Sequence, residues 1–350
     1  MVESEPLCIY KYEDYLKHVT ISSNGAIIVG KNILIDGFSE KPIRIVTHAH
    51  ADHVRGLEDS LRYSKYILAS PITLDLVEAL GYVSRDLVPL LRRKSVPLDY
   101  HQVYTFNGDK VEFYKSDHVP GSVQVLVKLR DSGITIGYTG DFKLTNKTEI
   151  LENTNVLITE ATYGNPMHIR RFKDSIPQIL VDLVLEGLSR YKRVYIYAYH
   201  GKIQEVMSIL RDNEIKHPFV LPRKIYRATK ILEQRYGFNY GRYYCDDELG
   251  NLRNDRFLVF KHFNSAKNRR LDGNGLHIVL TGRCMLEPLV KADEYTYIVA
   301  FSDHADFSEL VKYIELSNSE LVVIDGSRSD NAEFLKKALL ERGYCAVTLP

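Results

Sequence analysis

Short aliphatic and β-branched runs, each closed by a turn residue, fill the chain up to Thr159: Ala26–Val29, Asn32–Asp36, Ile43–Thr47, Tyr66–Leu68, Lys110–Tyr114, Ser122–Leu129, Ile134–Tyr138 and Val156–Thr159. Their length and composition predict strands. Between them, Pro71–Leu80 and Arg85–Lys94 space their apolar residues as helices do, the first opening with a proline at a tolerated position. After Gly164 and Pro166 the texture changes. "RRFKDSIPQILVDLVLEGLSRYKR" predicts a helix, "VYIYAY" a strand, and the alternation continues through helix Lys202–Leu210, strand Phe219–Leu221, helix Ile225–Tyr236 and strands Phe257–Phe260 and His277–Leu280. That rhythm predicts a small parallel α/β domain. Strand–helix alternation then resumes with Tyr297–Phe301, Ser308–Leu316, Leu321–Ile324, Asn331–Arg342 and Ala346–Leu349. The stretch Phe263–Gly275, "FNSAKNRRLDGNG", is the predicted mobile loop.

At 350 residues the chain exceeds one ordinary core and predicts two domains, or one domain with a large insertion. A net charge of +1 gives no global basic field, so a surface for nucleic acid must be local. The four cysteines are scattered without a CxxC pair, which predicts reduced thiols rather than a disulfide framework or a metal ribbon. The N-terminus lacks a basic-then-apolar leader, and no apolar run approaches the roughly 18 residues that span a bilayer. The expectation is a cytoplasmic protein.

Chemistry concentrates in "THAHADH". The strand ending at Thr47 delivers His48 and His50, two residues apart and therefore able to face one metal together, while Asp52 and His53 follow a turn and can face a second. Further candidates fall at other strand ends: His118 in "YKSDHVPGS", Asp141 after Gly140 in "YTGDFK", Glu160 in "TEATYG" and His304 in "SDHADF". Singly, each is equally an ordinary turn or capping residue. Together they supply the donors that the histidine cluster lacks.

In this order the residues resemble the metallo-β-lactamase superfamily: His48-x-His50-x-Asp52-His53, then His118, then Asp141. "TEATYG" and "SDHADF", with "SDHVPGSVQ" and "YAYHGKIQE", are similar to segments of its β-CASP nuclease branch. The resemblance covers nearly the whole chain. It implies an α/β fold, an αββα metallo-β-lactamase sandwich with an inserted β-CASP α/β domain. Residues 1–164 would form the N-terminal part of the sandwich, 165–287 the β-CASP domain and 288–350 the return. It further implies two zinc ions: His48, His50 and His118 on the first, Asp52 and His53 on the second, Asp141 bridging. Asp36 would orient the histidine loop by hydrogen bonds. One position departs from the pattern. Family members that cut RNA often carry a further histidine after the strand following His304, and here that strand ends in Asp325, either a zinc ligand or half of an Asp-Gly turn. The departure leans toward DNA.

The implied mechanism is in-line hydrolysis of a phosphodiester, with the leaving oxygen protonated by His304 paired with Glu160. Asp52, Glu160 and His304 are the catalytic candidates. Lys202, at a strand-to-helix junction, and Arg283, at a strand end, are candidate phosphate contacts, each with a solvated surface role as the alternative. "HIRRFK" reads as cleft lining or a charged helix face, and "YGFNYGRYY", Tyr236–Tyr244, as base-stacking or simple packing. The leading expectation is a zinc-dependent exonuclease on nucleic acid, DNA favoured over RNA. Its alternatives are an RNA-processing exo- or endoribonuclease, a small-ester hydrolase of the same superfamily and an inactive scaffold subunit. No membrane partner is expected.

Overall fold

The computed structural model describes residues 4–248, 255–268, 275–283 and 286–350. These form two compact units, Met1–Ile169 with His304–Pro350, and Arg170–Asp303.

The first unit opens with a six-stranded sheet in sequential order: β1 (Val19–Ile21), β2 (Ile27–Val29), β3 (Ile33–Ile35), β4 (Ile43–Ile45), β5 (Tyr66–Ala69) and β6 (Ser95–Pro97). β1 to β3 pair antiparallel, and β3 to β6 are parallel. Five strands begin the second sheet: β7 (Val103–Phe106), β8 (Asp109–Lys115), β9 (Val123–Lys128), β10 (Thr135–Tyr138) and β11 (Val156–Thr159). The two-residue side-chain period decides what each face buries. Val156 and Ile158 of β11 join Ile27, Ile33, Ile43, Ile45, Phe113 and Val125 in the core between the sheets. Leu157 points the other way, into a layer with Leu310, Tyr313 and Leu335 from the covering helices Phe307–Ser317 and Ala332–Glu341. A strand buried on both faces reads as unbroken apolar sequence, as "VLIT" and "LVVI" do.

The second unit joins the helices Ile176–Arg190, Lys202–Asp212 and Arg223–Tyr236 to one sheet made of β12 (Arg193–Ala198), β13 (Phe219–Leu221), β14 (Tyr243–Cys245), β15 (Phe257–His262), β16 (Gly275–Leu280), β17 (Leu289–Lys291) and β18 (Thr296–Val299). The spatial order is β14-β13-β15-β12-β16-β18-β17, parallel except for the edge pair β17–β18. The chain then returns to the first unit, where β19 (Leu321–Asp325) pairs parallel with β11 and β20 (Ala346–Leu349) with β19.

Three expectations need correction. The second compact unit spans Arg170–Asp303, where the expected inserted domain spanned 165–287: β18 hydrogen-bonds to β16 from His277↔Thr296 to Leu280↔Val299, so "YIV" lies in the second unit's sheet and not in the return. Cys8 and Cys345 are not reduced thiols but joined by a disulfide across 337 residues, a pairing that spacing cannot reveal because the helix Glu5–Lys11 lies against β20 only in the fold. Cys245 is a buried free thiol, and Cys284 lies outside the described residues. Finally, Phe263–Asn268 forms a short 3-10 helix, so only 269–274 of the expected mobile loop lie outside the described residues. The pattern also missed the helices Glu5–Lys11 and Leu57–Tyr63 and the short edge strands β1, β6, β7, β14 and β17. Among the described residues no helix is long and apolar enough to cross a membrane.

Candidate metal centre

Every strand of the first unit that the sequence singled out ends at the same rim. β4 explains the local order. Ile43 and Ile45 face the sheet interface, so the alternation turns Arg44 to the opposite, equally buried side. Its Nη2 donates to the carbonyl of His53 at 2.7 Å, which ties the returning loop back to the strand that launched it. The backbone closes that loop, with the amides of His53 and Val54 both donating to His50 O.

Asp36, fully buried and at a left-handed φ of 50°, is the second anchor. It accepts from Thr47 N at 3.0 Å and Thr47 Oγ1 at 2.7 Å, and pairs with His53 Nδ1 at 2.7 Å. That fixes which nitrogen His53 offers. Its Nε2, buried and without a hydrogen-bond partner, faces Asp141 Oδ2 at 3.2 Å and Asp52 Oδ2 at 3.4 Å.

Beside it the three remaining imidazoles converge. His50 Nδ1 stands 3.1 Å from both His48 Nε2 and His118 Nε2. Zinc–nitrogen bonds of about 2.0–2.1 Å set tetrahedral edges of about 3.3–3.4 Å, so this spacing suits one ion shared by three rings. Asp141 Oδ2 completes the group, 3.7 Å from His48 Nε2 and from His118 Nε2. The same oxygen therefore touches both sets, His48–His50–His118 and Asp52–His53. Buried nitrogen and carboxylate donors aimed at common points are the donor chemistry that zinc selects, and the residues present fit it.

The loops that carry His118 and Asp141 are held equally firmly. Ser116 Oγ donates to Asp141 O at 2.7 Å, and Gly121 adopts a φ of 85° in which a Cβ would strike Ile72 and Ser70. Glu160, at the end of β11, accepts from Phe142 N at 3.0 Å and pairs with His304 Nδ1 at 3.0 Å through its other oxygen. His304 Nε2 is left facing Asp141 Oδ2 at 4.0 Å. Just downstream Asp306 caps the helix Phe307–Ser317 with Glu309 in a capping box, which pins the "SDHADF" turn.

The electrostatics follow from this crowding. Burial disfavours charge on His53, but Asp141, Asp36 and Asp52 outweigh it and raise the ring's pKa to about 10 in the metal-free protein. Burial would likewise raise Asp36 and Asp141, and His53 reverses both: Asp36 is held below the ordinary carboxylate value and Asp141 well below it. Burial, then the neighbouring rings, drive His48 far down, so it stays neutral with a lone pair available.

Asp325 has both oxygens occupied: Oδ1 accepts from Ser327, and Oδ2 pairs with Arg328 Nη1 at 2.6 Å, so it is not gathered with the histidines. Lys202 is buried and pairs with Asp303 at 3.0 Å inside the second unit. Arg283 is exposed just beyond β16. "HIRRFK" makes no charged helix face, being irregular up to residue 172 with Arg170 buried. In "YGFNYGRYY" Tyr240 is buried and Glu233 holds Tyr243 Oη and Tyr240 N, which makes the run packing. Sequence reasoning missed Thr47, Arg44 and Arg328. A charged residue inside the apolar strand "IRIV" was the available signal for Arg44.

No family model matches the chain. An uncharacterized protein in the lig 3' region of Acidianus ambivalens is 42% identical over 134 residues, 38% of this chain and 94% of that protein. A probable RNase MJ4 of Methanocaldococcus jannaschii is 24% identical, covering 87% of this chain and 85% of its own. A probable DNA ligase of Opitutus terrae is 24% identical, covering 85% of this chain but 28% of that protein. Among solved structures, a protein of unknown function from Enterococcus faecalis V583 superposes with a TM-score of 0.63 over 95% of this chain and 97% of its own, at 17% identity. That likeness speaks for the fold alone.

Proposed function

The chain belongs to the metallo-β-lactamase superfamily, in its β-CASP branch of hydrolytic, metal-dependent nucleases, and on that premise we propose that it is a zinc nuclease that trims DNA from its ends. The observation that carries the proposal is the position of Asp141 Oδ2, shared by the His48–His50–His118 set and the Asp52–His53 set, with the His304–Glu160 pair alongside. His48, His50 and His118 would hold one zinc, Asp52 and His53 the second, with Asp141 between them. When bound, the two ions supply an activated water and neutralise the phosphate oxygens.

The chain's own groups do the rest. Asp36 and Arg44 fix the loop from behind, so that His53 presents Nε2 to the pocket. Asp52, with about half of its side chain exposed, is placed to take the proton of the attacking water. His304, held through Nδ1 by Glu160, delivers a proton from Nε2 to the leaving oxygen. Residues 170–303 are the inserted β-CASP domain, and Arg283 serves the phosphate backbone there. The setting is the cytoplasm, where the substrate is.

DNA is favoured because a relative along most of this chain is a probable DNA ligase, and because Asp325, tied to Arg328, offers no ligand where RNA-cutting relatives place a histidine. The second reading, an RNA-processing exo- or endonuclease, draws on the probable RNase that matches nearly end to end. End-labelled single-stranded DNA, duplex DNA and RNA, incubated with and without a chelator, decide between them. Shortening of DNA that the chelator and Asp52→Ala both stop is the expected result. Preferential shortening of RNA gives the second reading, and intact polymers beside cleavage of a small ester would overturn both.

A further inference from the structure

The sheet of the second unit carries an exposed aromatic group at its carboxyl edge. β12 and β15 run parallel with Ala198 opposite His262, so the next residues, Tyr199 and Phe263, leave the sheet side by side at its carboxyl edge. Their rings stack with centroids 5.1 Å apart and planes at 29°. His262 meets Tyr199 edge-on, also at 5.1 Å. Other tyrosines of β12 find partners inside the fold: Tyr197 is buried against His277, with Tyr195 stacked on the same ring. Tyr199 instead stays 41% exposed, and His262 and Asn264 are exposed beside it. The tyrosine hydroxyl reaches Asn264 Oδ1 at 3.5 Å, and the Asn264 amide donates to His262 Nδ1 at 3.3 Å, so the group is internally ordered although open to solvent.

Its place in the sheet has meaning. From β12 the chain moves outward to β13 on one side, and from β15 it crosses β12 to reach β16 on the other. In an open parallel sheet, ligands settle outside the carboxyl ends of the strands where the order reverses in this way. Arg283 follows β16 at that edge and is exposed, as is Lys267 after Phe263. An aromatic face flanked by cations is the chemistry that takes an unpaired nucleobase and its neighbouring phosphates.

We infer that Tyr199, Phe263 and His262 form a stacking platform for an unpaired base of the nucleic-acid strand, with Lys267 and Arg283 drawing the adjoining phosphates. The inference rests on the nuclease reading. Stacking accepts any base, so the platform takes DNA and RNA alike and grips the strand without reading its sequence.

The sequence contains no tryptophan, which makes the test direct. Tyr199→Trp installs a sole indole, and titration with single-stranded oligonucleotides of DNA and of RNA, under chelation to prevent cleavage, should quench it on binding. Tyr199→Ala should weaken binding about 5- to 150-fold by fluorescence anisotropy, the range expected for one lost stack, and Tyr199→Phe should restore it. Moving a single abasic site along the oligonucleotide should reveal one position that weakens the wild type but adds nothing to Tyr199→Ala. Equal affinities of wild type and Tyr199→Ala, with an abasic profile shared by both, overturn the platform while leaving the nuclease standing. A wild type that neither binds nor shortens either polymer removes both readings together.

Discussion

The rim that carries the histidines and the carboxyl edge of the second unit's sheet are both strand ends, yet they treat charge in opposite ways. At the first, the groups that anchor the site are buried and fixed by named partners: Asp36 by Thr47 and His53, Glu160 by Phe142 and His304, the returning loop by Arg44. At the second, the buried Lys202 pairs with Asp303, while Tyr199, Lys267 and Arg283 stand in solvent. Bond-breaking needs groups set in advance, since each correctly placed dipole then costs no reorganisation during reaction. Gripping a polymer that slides onward rewards shallow, adaptable contacts instead.

The contrast predicts a ranking of mutational effects. Asp141→Asn should be the most severe, because its Oδ2 serves both sets of imidazoles; hydrolysis of end-labelled DNA should fall by at least about 10³-fold with the circular dichroism spectrum retained. Residual activity within tenfold of wild type would dissolve the idea of a shared oxygen. His304→Ala should lower kcat by about 10²–10⁴-fold while zinc content, measured by mass spectrometry, stays at the wild-type value. A loss of zinc in that variant would move His304 from proton transfer to metal retention.

Third comes the background that orients the ligands. Asp36→Asn should weaken zinc binding by about 10- to 100-fold in competition with a chromogenic chelator. The same site has a calculable pH dependence. In the metal-free protein the folded pKa of His53 is raised to about 10, so the charged ring's contribution to stability is complete below the unfolded value near 6.5 and disappears as pH rises through about 10. Zinc needs the neutral ring, so its affinity should strengthen with rising pH up to about 10, by as much as about tenfold per unit. Asp36→Asn should flatten that slope, and a slope unchanged by the substitution would show that another group releases the proton. Lys202→Met should touch catalysis least. Removing one partner of this buried ion pair costs about 3–5 kcal/mol, seen as a lowered melting temperature, with the rate at saturating substrate unaltered. A loss of oligonucleotide affinity with no loss of stability would return Lys202 to the phosphate contacts.

Much of this was readable from residues that obey local rules. β11 and β19 announce themselves because both faces are buried, and "THAHADH" because its donors are adjacent in sequence. His118, Asp141 and His304 were legible as ligand or acid–base candidates only by their position at strand ends. What escaped depends on distances the chain does not encode locally. Whether Lys202 is a phosphate contact or a buried ion pair depends on Asp303, a hundred residues away in sequence and 3.0 Å away in space. Asp325 reads equally as a ligand or a turn residue until its pairing with Arg328 is seen, and the aromatic run at Tyr236–Tyr244 reads as stacking or packing until its contacts with Glu233 and the core are seen. The working aromatics, Tyr199 and Phe263, sit 64 positions apart and form a pattern only through the register of β12 and β15.

The bond between Cys8 and Cys345 turns nearly the entire polypeptide into a covalent ring. Opening a loop of 337 residues returns entropy to the unfolded chain on the order of 5 kcal/mol, so reduction should loosen the molecule as a whole rather than one corner of it. A protease that nicks any loop between the two cysteines leaves both halves attached, and a gel run without reductant would still show a molecule of full mass.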